Sequence, residues 1–345
     1  MKHFAPNLMI SKAFFVNQIY SVSILVILGM VGGLSPQIAK AQESEPLQLK
    51  WSKEAGIHSQ AIYLRITCND PTATIHFTTD GNKPSTKSTV AKRGISIKRT
   101  SLIKARAIKG DQKSEVETRT FFIGEQSTFP LISLGVKPEK LFDEEDGLFR
   151  MGPKADSLFP FRGANFWSRE EIKMHLEYFT SDGEQVVAQK GGMRMFGGMS
   201  RLFAQKSLAL VARGDYGPKR IQYQVFRDKD IEKFKYIALR NSGSDWSKTH
   251  LRDAYFTDLV KDLDFETQAF QPTHTFINGK YWGIYNAREK INRFFLSSNC
   301  GYHKDSLEII EHQNNVRRGN GRHYRQMIHF IEKHDLDIPA NYEVV

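Results

Sequence analysis

The residues best suited to chemistry lie in a glycine-rich stretch, residues 191–201, followed by Lys206. Paired glycines let a backbone turn tightly and aim several N–H groups at one anion. Arg194 and Arg201 add forked donors, and Lys206 begins a predicted strand from which its amine reaches the same space. The stretch therefore indicates a phosphate cradle. A simple hairpin bend is the alternative, because the pattern is neither the Walker loop nor Gly-x-Gly-x-x-Gly.

Two segments imitate the acidic motifs of phosphoryl transfer without completing them. The run His250-Leu251-Arg252-Asp253 resembles a catalytic loop, but Asp258 stands where an Asn is required. The run Asp264-Phe265-Glu266 resembles a metal-binding motif, but Glu266 replaces its glycine. Both runs fall on a predicted helix and its end. The catalytic residues and the metal ligands are therefore unknown from the sequence.

The elements that must position the glycine-rich stretch fall into two predicted domains. Over residues 42–125, short alternating runs and an Asp-Gly turn predict an antiparallel β-sandwich of immunoglobulin-like size. Residues 126–138 are predicted to be a linker. Over residues 139–345, alternating strands, an Asn-Gly hairpin and a helix at 251–263 predict an α+β domain whose sheet carries at least one helix.

The first domain resembles a known accessory module. Residues 75–85 read Ile-His-Phe-Thr-Thr-Asp-Gly-Asn-Lys-Pro-Ser. This resembles the aromatic-Thr-Thr-Asp-Gly-x-x-Pro hallmark of the chitobiase/β-hexosaminidase C-terminal-type domain. The resemblance implies a non-catalytic sandwich that contacts carbohydrate, whereas the Asp-Gly pair by itself requires only a turn.

The second domain resembles the spore-coat protein H (CotH) kinase-like family. The similar segments occur in the family's order, at residues 192–194, 198–201, 205–208, 214–217, 239–246, 251–254 and 276–290. The resemblance implies a pared-down atypical kinase-like fold that uses ATP with Mg²⁺ or Mn²⁺ to phosphorylate Ser or Thr of secreted or envelope proteins.

The same resemblance assigns roles to individual residues. It places Ser200, Arg201 and Lys206 near the nucleotide phosphates, and it makes Glu289 the acid that pairs with a lysine or helps to hold metal. With Arg194 of the glycine-rich stretch, these residues form the predicted nucleotide-binding set. In the family the catalytic acids lie in a C-terminal lobe, which we expect to begin where this sequence stops. We therefore expect a catalytically incomplete kinase portion.

The N-terminus has the pattern of an export signal. Basic residues precede an apolar run at 22–34, and Ala39-Lys40-Ala41 follows it. This pattern predicts a signal peptide cleaved after Ala41. An uncleaved anchor is the alternative, but the run is shorter than the ~20 residues of a spanning helix. No later stretch is apolar enough to span a membrane, so we expect a secreted, periplasmic or cell-envelope protein.

The net charge bears on the class of binding partner, and the positions of the two cysteines bear on disulfide formation. The formal charge of +11 is spread along the chain and suits anionic partners, while an export signal argues against nucleic acid. We expect Cys68 and Cys300 to be unpaired thiols because they fall in different predicted domains, although a disulfide stays open. The leading hypothesis is an exported CotH-like atypical kinase. The alternative is a non-catalytic surface adhesin or carbohydrate-binding protein, with possible carbohydrate contact through the sandwich in either case.

Overall fold

The computed structural model describes residues 45–312 and 314–345. The predicted signal peptide, residues 1–41, lies outside this range. Across the described ranges, no helix has both the length and the apolar content needed to cross a membrane.

The N-terminal region is strand-rich, as predicted. Its strands are β1 (Leu49–Trp51), β2 (Gly56–His58), β3 (Ile62–Leu64), β4 (Ile66–Cys68), β5 (Thr74–Thr78), β6 (Thr89–Val90), β7 (Ile95–Ile97), β8 (Ser101–Lys109), β9 (Gln112–Lys113) and β10 (Glu117–Ile123). One sheet has the order β2-β10-β8-β5-β6, with β9 paired to β8, while β1 pairs with β4 and β3 with β7. Side chains of all these sheets, among them Leu64, Ile103 and Phe121, share one core.

The second region closes into a barrel. Its strands are β11 (Leu131–Val136), β12 (Ile172–Phe179), β13 (Gln185–Met195), β14 (Leu208–Val211), β15 (Ile221–Gln222), β16 (Lys233–Phe234), β17 (Tyr236–Arg240), β18 (Phe270–Ile277) and β19 (Lys280–Glu289). The closed order is β11-β12-β13-β14-β17-β19-β18, and β15 pairs with β16 outside it. The predicted sheet with a helix packed on it is therefore corrected to a closed barrel.

The sequence did not predict a barrel because strand β11 was assigned to a linker. It lies inside the predicted linker, residues 126–138, yet all of its residues are buried. It pairs antiparallel with β12 and parallel with β18. Because β11 and β18 are far apart in the sequence, their parallel pairing is not marked by any local sequence pattern such as a hairpin turn. The linker prediction is thus corrected, and the barrel begins at Leu131.

Helices follow individual barrel strands along the chain and continue toward the C-terminus. They are α1 (Glu139–Phe142), α2 (Arg252–Leu259), α3 (Arg293–Cys300), α4 (Arg322–Lys333) and α5 (Pro339–Tyr342), and a hairpin of β20 (Ile309–Glu311) and β21 (Asn315–Arg318) precedes α4. The helix predicted at 251–263 is shorter, ending at Leu259. Its apolar residues Tyr255 and Leu259 are about three-fifths exposed. Little apolar packing is therefore present to stabilise further helical turns.

The two regions are joined by a buried seam. The Phe122 ring meets the rings of Phe179 and Phe276 edge-on, with centroids 5.1 and 4.9 Å away. Beside them, the carboxylate of Glu177 accepts hydrogen bonds from the backbone N–H and the hydroxyl of Thr120. Residues 46–345 form one compact unit. The N-terminal region is therefore held against the barrel by packed rings and buried hydrogen bonds.

Candidate functional site

The glycine-rich stretch divides into a strand and a turn. Gly191 and Gly192 lie within β13, where a Cβ on Gly191 would come within 2.9 Å of the Met174 side chain. Gly197 and Gly198 begin the turn, and Gly197 has a φ of +87°, which favours glycine. A 3-10 turn at Met199–Leu202 follows. The bend between β13 and β14 is therefore the candidate cradle, and the first glycine pair serves strand packing.

Lys206 lies beneath this turn with its ammonium group directed at the loop backbone. Its Nζ donates to the carbonyl oxygens of Arg201 at 2.7 Å and Phe203 at 3.1 Å. The ammonium also stands 4.4 Å from the centroid of the Phe166 ring. Burial lowers the pKa of Lys206 to about 8. Its contacts are those of a residue that holds the turn in shape, rather than of one free to meet a phosphate.

Arg201 is likewise committed to backbone oxygens. Its Nε donates to the carbonyl of Gly197 at 2.8 Å, and its Nη1 donates to those of Phe166 and Ser168. Burial, followed by repulsion from neighbouring arginines, lowers the pKa of its guanidinium. These bonds tie the turn to the segment before β12. Arg201 thus supports the cradle from behind.

A residue that the sequence prediction missed holds the other side of the turn. Asn241 is almost fully buried and donates from Nδ2 to the carbonyl oxygens of Ser200 and Gln205 at 3.1 and 2.6 Å. Its Oδ1 accepts from the hydroxyl of Ser207 at 2.8 Å. Because Asn241 directly follows β17, it couples the turn to the neighbouring strand of the barrel. Its place in the similar segment 239–246 was the available signal.

The turn forms one wall of a cleft of about 740 Å³. Its walls combine aromatic rings, loop backbone and a few polar or charged groups, among them Phe159, Phe196, Gly198, Ser200, Phe203, Arg240, Gly243, Ser244, Lys290 and Glu311. Ligand pockets commonly occupy about 300–1,000 Å³ and combine apolar walls with a small number of placed polar groups. Of the five predicted nucleotide-binding residues, Ser200 lines the cleft and the other four do not.

The turn and the segment after β17 fit closely against each other. A Cβ on Gly243 would come within 2.4 Å of the Ser200 Cβ, so any side chain at residue 243 would displace Ser200. By contrast, a Cβ built on Gly198 would meet no atom within 4 Å. The backbone at Gly198 is therefore accessible from the cleft.

The cations that line the cleft are Lys290 and Arg240. Lys290 Nζ lies 5.8 Å from the centroid of the Phe196 ring, and burial, reinforced by the charge of Arg194, lowers the pKa of this lysine. Arg240 donates to the carboxylate of Asp253 at 2.8 Å. Arg194 stands over the Tyr236 ring, 5.8 Å from its centroid, and contributes charge from behind the wall.

Glu289 is paired with a lysine, but not with Lys206. Its carboxylate is almost fully buried and lies 2.8 Å from the Nζ of Lys229. It also accepts from the backbone N–H of Ala269 at 3.0 Å and from Nδ2 of Asn299 at 2.9 Å. Glu289, the last residue of β19, does not line the cleft, whereas Lys290, the residue directly after the strand, does.

The two runs that resemble acidic motifs, at residues 250–253 and 264–266, place no acid in the lining of the cleft. The Asp253 carboxylate bridges Arg240 and Arg288, at 2.8 and 2.7 Å. Asp264 and Glu266 line a separate groove of about 1,270 Å³ beside α2. Among residues 45–312 and 314–345 there is no group of three His, Cys, Asp or Glu that could hold a metal ion. Cys68 and Cys300 are both free thiols.

Comparison with known families finds a match within each region. Residues 193–340 match the family described as CotH kinase protein, and residues 64–121 match the family described as Fn3 associated. No curated protein shows a significant match to the chain. The CotH match begins within β13 and includes the turn, Asn241 and Lys290. The predicted resemblance to the CotH family is confirmed: after a region that matches the Fn3 associated family, this chain carries a domain of the CotH kinase protein family.

Proposed function

We propose that the cleft binds ATP and that the protein transfers the γ-phosphoryl group to Ser or Thr hydroxyls of a secreted or cell-envelope protein. The observation that carries the proposal is the cleft itself. It combines a glycine turn fixed from behind, open backbone at Gly198, and the cations Lys290 and Arg240, within a domain of the CotH kinase family. Export and the nature of the acceptor rest on the signal-peptide pattern and on the resemblance.

The lining residues suit a nucleotide. Phe159, Phe196 and Phe203 give the cleft aromatic surface against which a purine can pack. The cations Lys290 and Arg240 can neutralise phosphate oxygens, and the Ser200 hydroxyl can donate a hydrogen bond to one. Catalysis of phosphoryl transfer depends mainly on positioning and charge neutralisation. These groups can supply part of both.

The residues present do not fit a protein-held divalent metal. The described ranges contain no cluster of three suitable ligands, and Glu289 is occupied by Lys229, Ala269 and Asn299. Mg²⁺ or Mn²⁺ therefore enters the proposal only as the partner of ATP implied by the resemblance.

Titration calorimetry with ATP tests the proposal. Removing one charge-assisted partner costs about 1.5–3 kcal/mol, so Lys290→Ala should weaken binding by roughly ten- to a hundredfold. Lys280→Ala is the matched control, because this exposed lysine begins the strand that Lys290 follows. Absence of saturable ATP binding by the wild-type chain, or equal losses in the two variants, would contradict the proposal.

For the N-terminal region we propose an accessory role, with the immunoglobulin-like sandwich of the chitobiase type as its fold and carbohydrate as its ligand. Its buried seam with the barrel supports a fixed orientation between the two regions. A glycan array with the full chain tests the carbohydrate part. An adhesin without catalysis would bind glycans and leave ATP unbound, which separates it from the kinase proposal.

A further inference from the structure

A small, strongly basic cavity lies next to the cleft, on the far side of Lys290. Its volume is about 70 Å³, and it is called the basic cavity below. Its charged lining consists of five cations and one acid: Arg220, Lys233, Lys235, Lys290, Lys304 and Glu289. The cations come from the segment before β15, from β16 and the residue that follows it, and from both sides of α3. Residues distant in sequence thus bring like charges to one place.

The one lining carboxylate does not neutralise these cations. Glu289 is bound to Lys229, to the Ala269 N–H and to Asn299. Lys304 has a counter-ion in Asp305, 2.8 Å away, but Asp305 also serves Arg293 and Arg318. A surplus of positive charge therefore remains at the cavity.

Lys290 shows this surplus most clearly. Its ammonium lies between the Phe196 and Tyr236 rings, 5.8 and 5.4 Å from their centroids. Within the described part of the chain, its nitrogen has neither a hydrogen-bond acceptor nor a salt-bridge carboxylate. Burial, followed by Arg194, lowers the pKa of Lys290, and burial, followed by Arg220, lowers that of Lys235. Bringing these charges together opposes folding unless an anion offsets them.

The size of the basic cavity restricts that anion. Pockets for drug-sized ligands occupy about 300–1,000 Å³, so a volume near 70 Å³ excludes a nucleoside and admits one small oxyanion. Tetrahedral oxyanions accept several hydrogen bonds at once, which suits converging ammonium and guanidinium groups. We propose that the basic cavity binds a single phosphate or phosphomonoester group. This inference does not depend on nucleotide binding in the cleft.

Titration calorimetry on the full chain tests the proposal with three probes: inorganic phosphate, a phosphoserine peptide and the same peptide without phosphate. Lys233→Ala and Arg220→Gln each remove a cation that lines the basic cavity but not the cleft. Each should weaken binding of the phosphorylated probe by about tenfold, the effect of losing one charge-assisted contact. Lys98→Ala, an exposed lysine of the N-terminal region, is the control of equal charge and should bind as the wild type does.

The probes also distinguish the source of the anion. Tighter binding of the phosphoserine peptide points to a phosphorylated protein segment, whereas binding of inorganic phosphate alone points to the free ion, and either result supports the site. Equal binding of the peptide without phosphate would overturn the proposal. So would a loss in Lys98→Ala as large as that in Lys233→Ala, because general electrostatic attraction would then explain both. Unfolding midpoints of the variants confirm that each is folded.

Discussion

A buried carboxyl at the seam between the two regions makes stability depend on pH. Glu177 is fully buried, and burial raises the pKa of this residue from 4.5 to about 7, against the opposing effect of hydrogen bonds from Thr120 and Gln185. Oε1 accepts from the Thr120 N–H and from Gln185 Nε2, at 3.0 and 2.7 Å, and Oε2 lies 2.5 Å from the Thr120 hydroxyl. When the carboxylate is ionised, Oε2 accepts from that hydroxyl. When the carboxyl group is protonated on Oε2, it becomes the donor, and the Thr120 hydroxyl can then donate to Ser133 Oγ at 2.7 Å.

The sign and size of the effect follow from the pKa. Between pH 4.5 and about 7 the folded protein retains the proton while the unfolded chain has lost it, so the free energy of unfolding falls as pH rises. One pKa unit corresponds to about 1.4 kcal/mol, and the whole interval therefore to about 3 kcal/mol. The positive charge of Arg119 also lowers this pKa and so reduces the effect.

Glu177→Gln should remove this pH dependence. The amide nitrogen replaces the protonated oxygen and can donate to the Thr120 hydroxyl, while the amide oxygen keeps the two remaining hydrogen bonds. At pH 8 the variant should exceed the wild type by about 3 kcal/mol, and at pH 4.5 the two should be equal.

Denaturant unfolding at a series of pH values measures the difference. Glu184→Gln, an exposed neighbour, is the control and should follow the wild type. A variant less stable than the wild type at pH 8, or a constant difference across the series, would refute this account of the seam.

Further substitutions test the parts that shape the cleft. Asn241→Ala leaves the carbonyls of Ser200 and Gln205 without their donor, so it should cost about 1–3 kcal/mol of unfolding free energy and weaken ATP binding in the same preparation; full ATP affinity would contradict its role in fixing the turn. Gly243→Ala places a methyl 2.4 Å from the Ser200 Cβ and should lower ATP affinity by about tenfold, or 1.4 kcal/mol, in calorimetry. Glu289→Ala leaves the partly buried Lys229 without its counter-ion and should cost about 1–3 kcal/mol in denaturant unfolding; a loss below 1 kcal/mol would mean that the pair behaves as a surface pair.

Local patterns predicted much of the strand content. The Asn-Gly turn is a clear case, since the hairpin of β18 and β19 is closed by Asn278 and Gly279 with φ values of +51° and +75°. Both values are positive, as a two-residue type I′ turn requires. The Asn278 side chain also bonds the N–H and carbonyl of Val136. This tertiary bond to β11 could not be read from the hairpin itself.

The bend between β13 and β14 lines a cleft, but the side chains of Arg201 and Lys206, predicted to meet phosphate there, are not part of its lining. The residue types of Arg201 and Lys206 suit phosphate, and they equally suit the carbonyl oxygens exposed by a short 3-10 turn. The folded turn presents those oxygens to them. Lys290 was not selected because the resemblance pointed to its neighbour Glu289, whose carboxylate is paired with Lys229 in the folded chain.

Photo-crosslinking with an azido-ATP analogue, followed by peptide mapping, tests the central claim most directly. The cleft predicts a label in residues 196–207 or 240–244, protected by excess ATP and reduced in Lys290→Ala. A label concentrated in residues 251–270, which line the separate groove beside α2, or a label that excess ATP does not reduce, would contradict the assignment of the cleft as the nucleotide site.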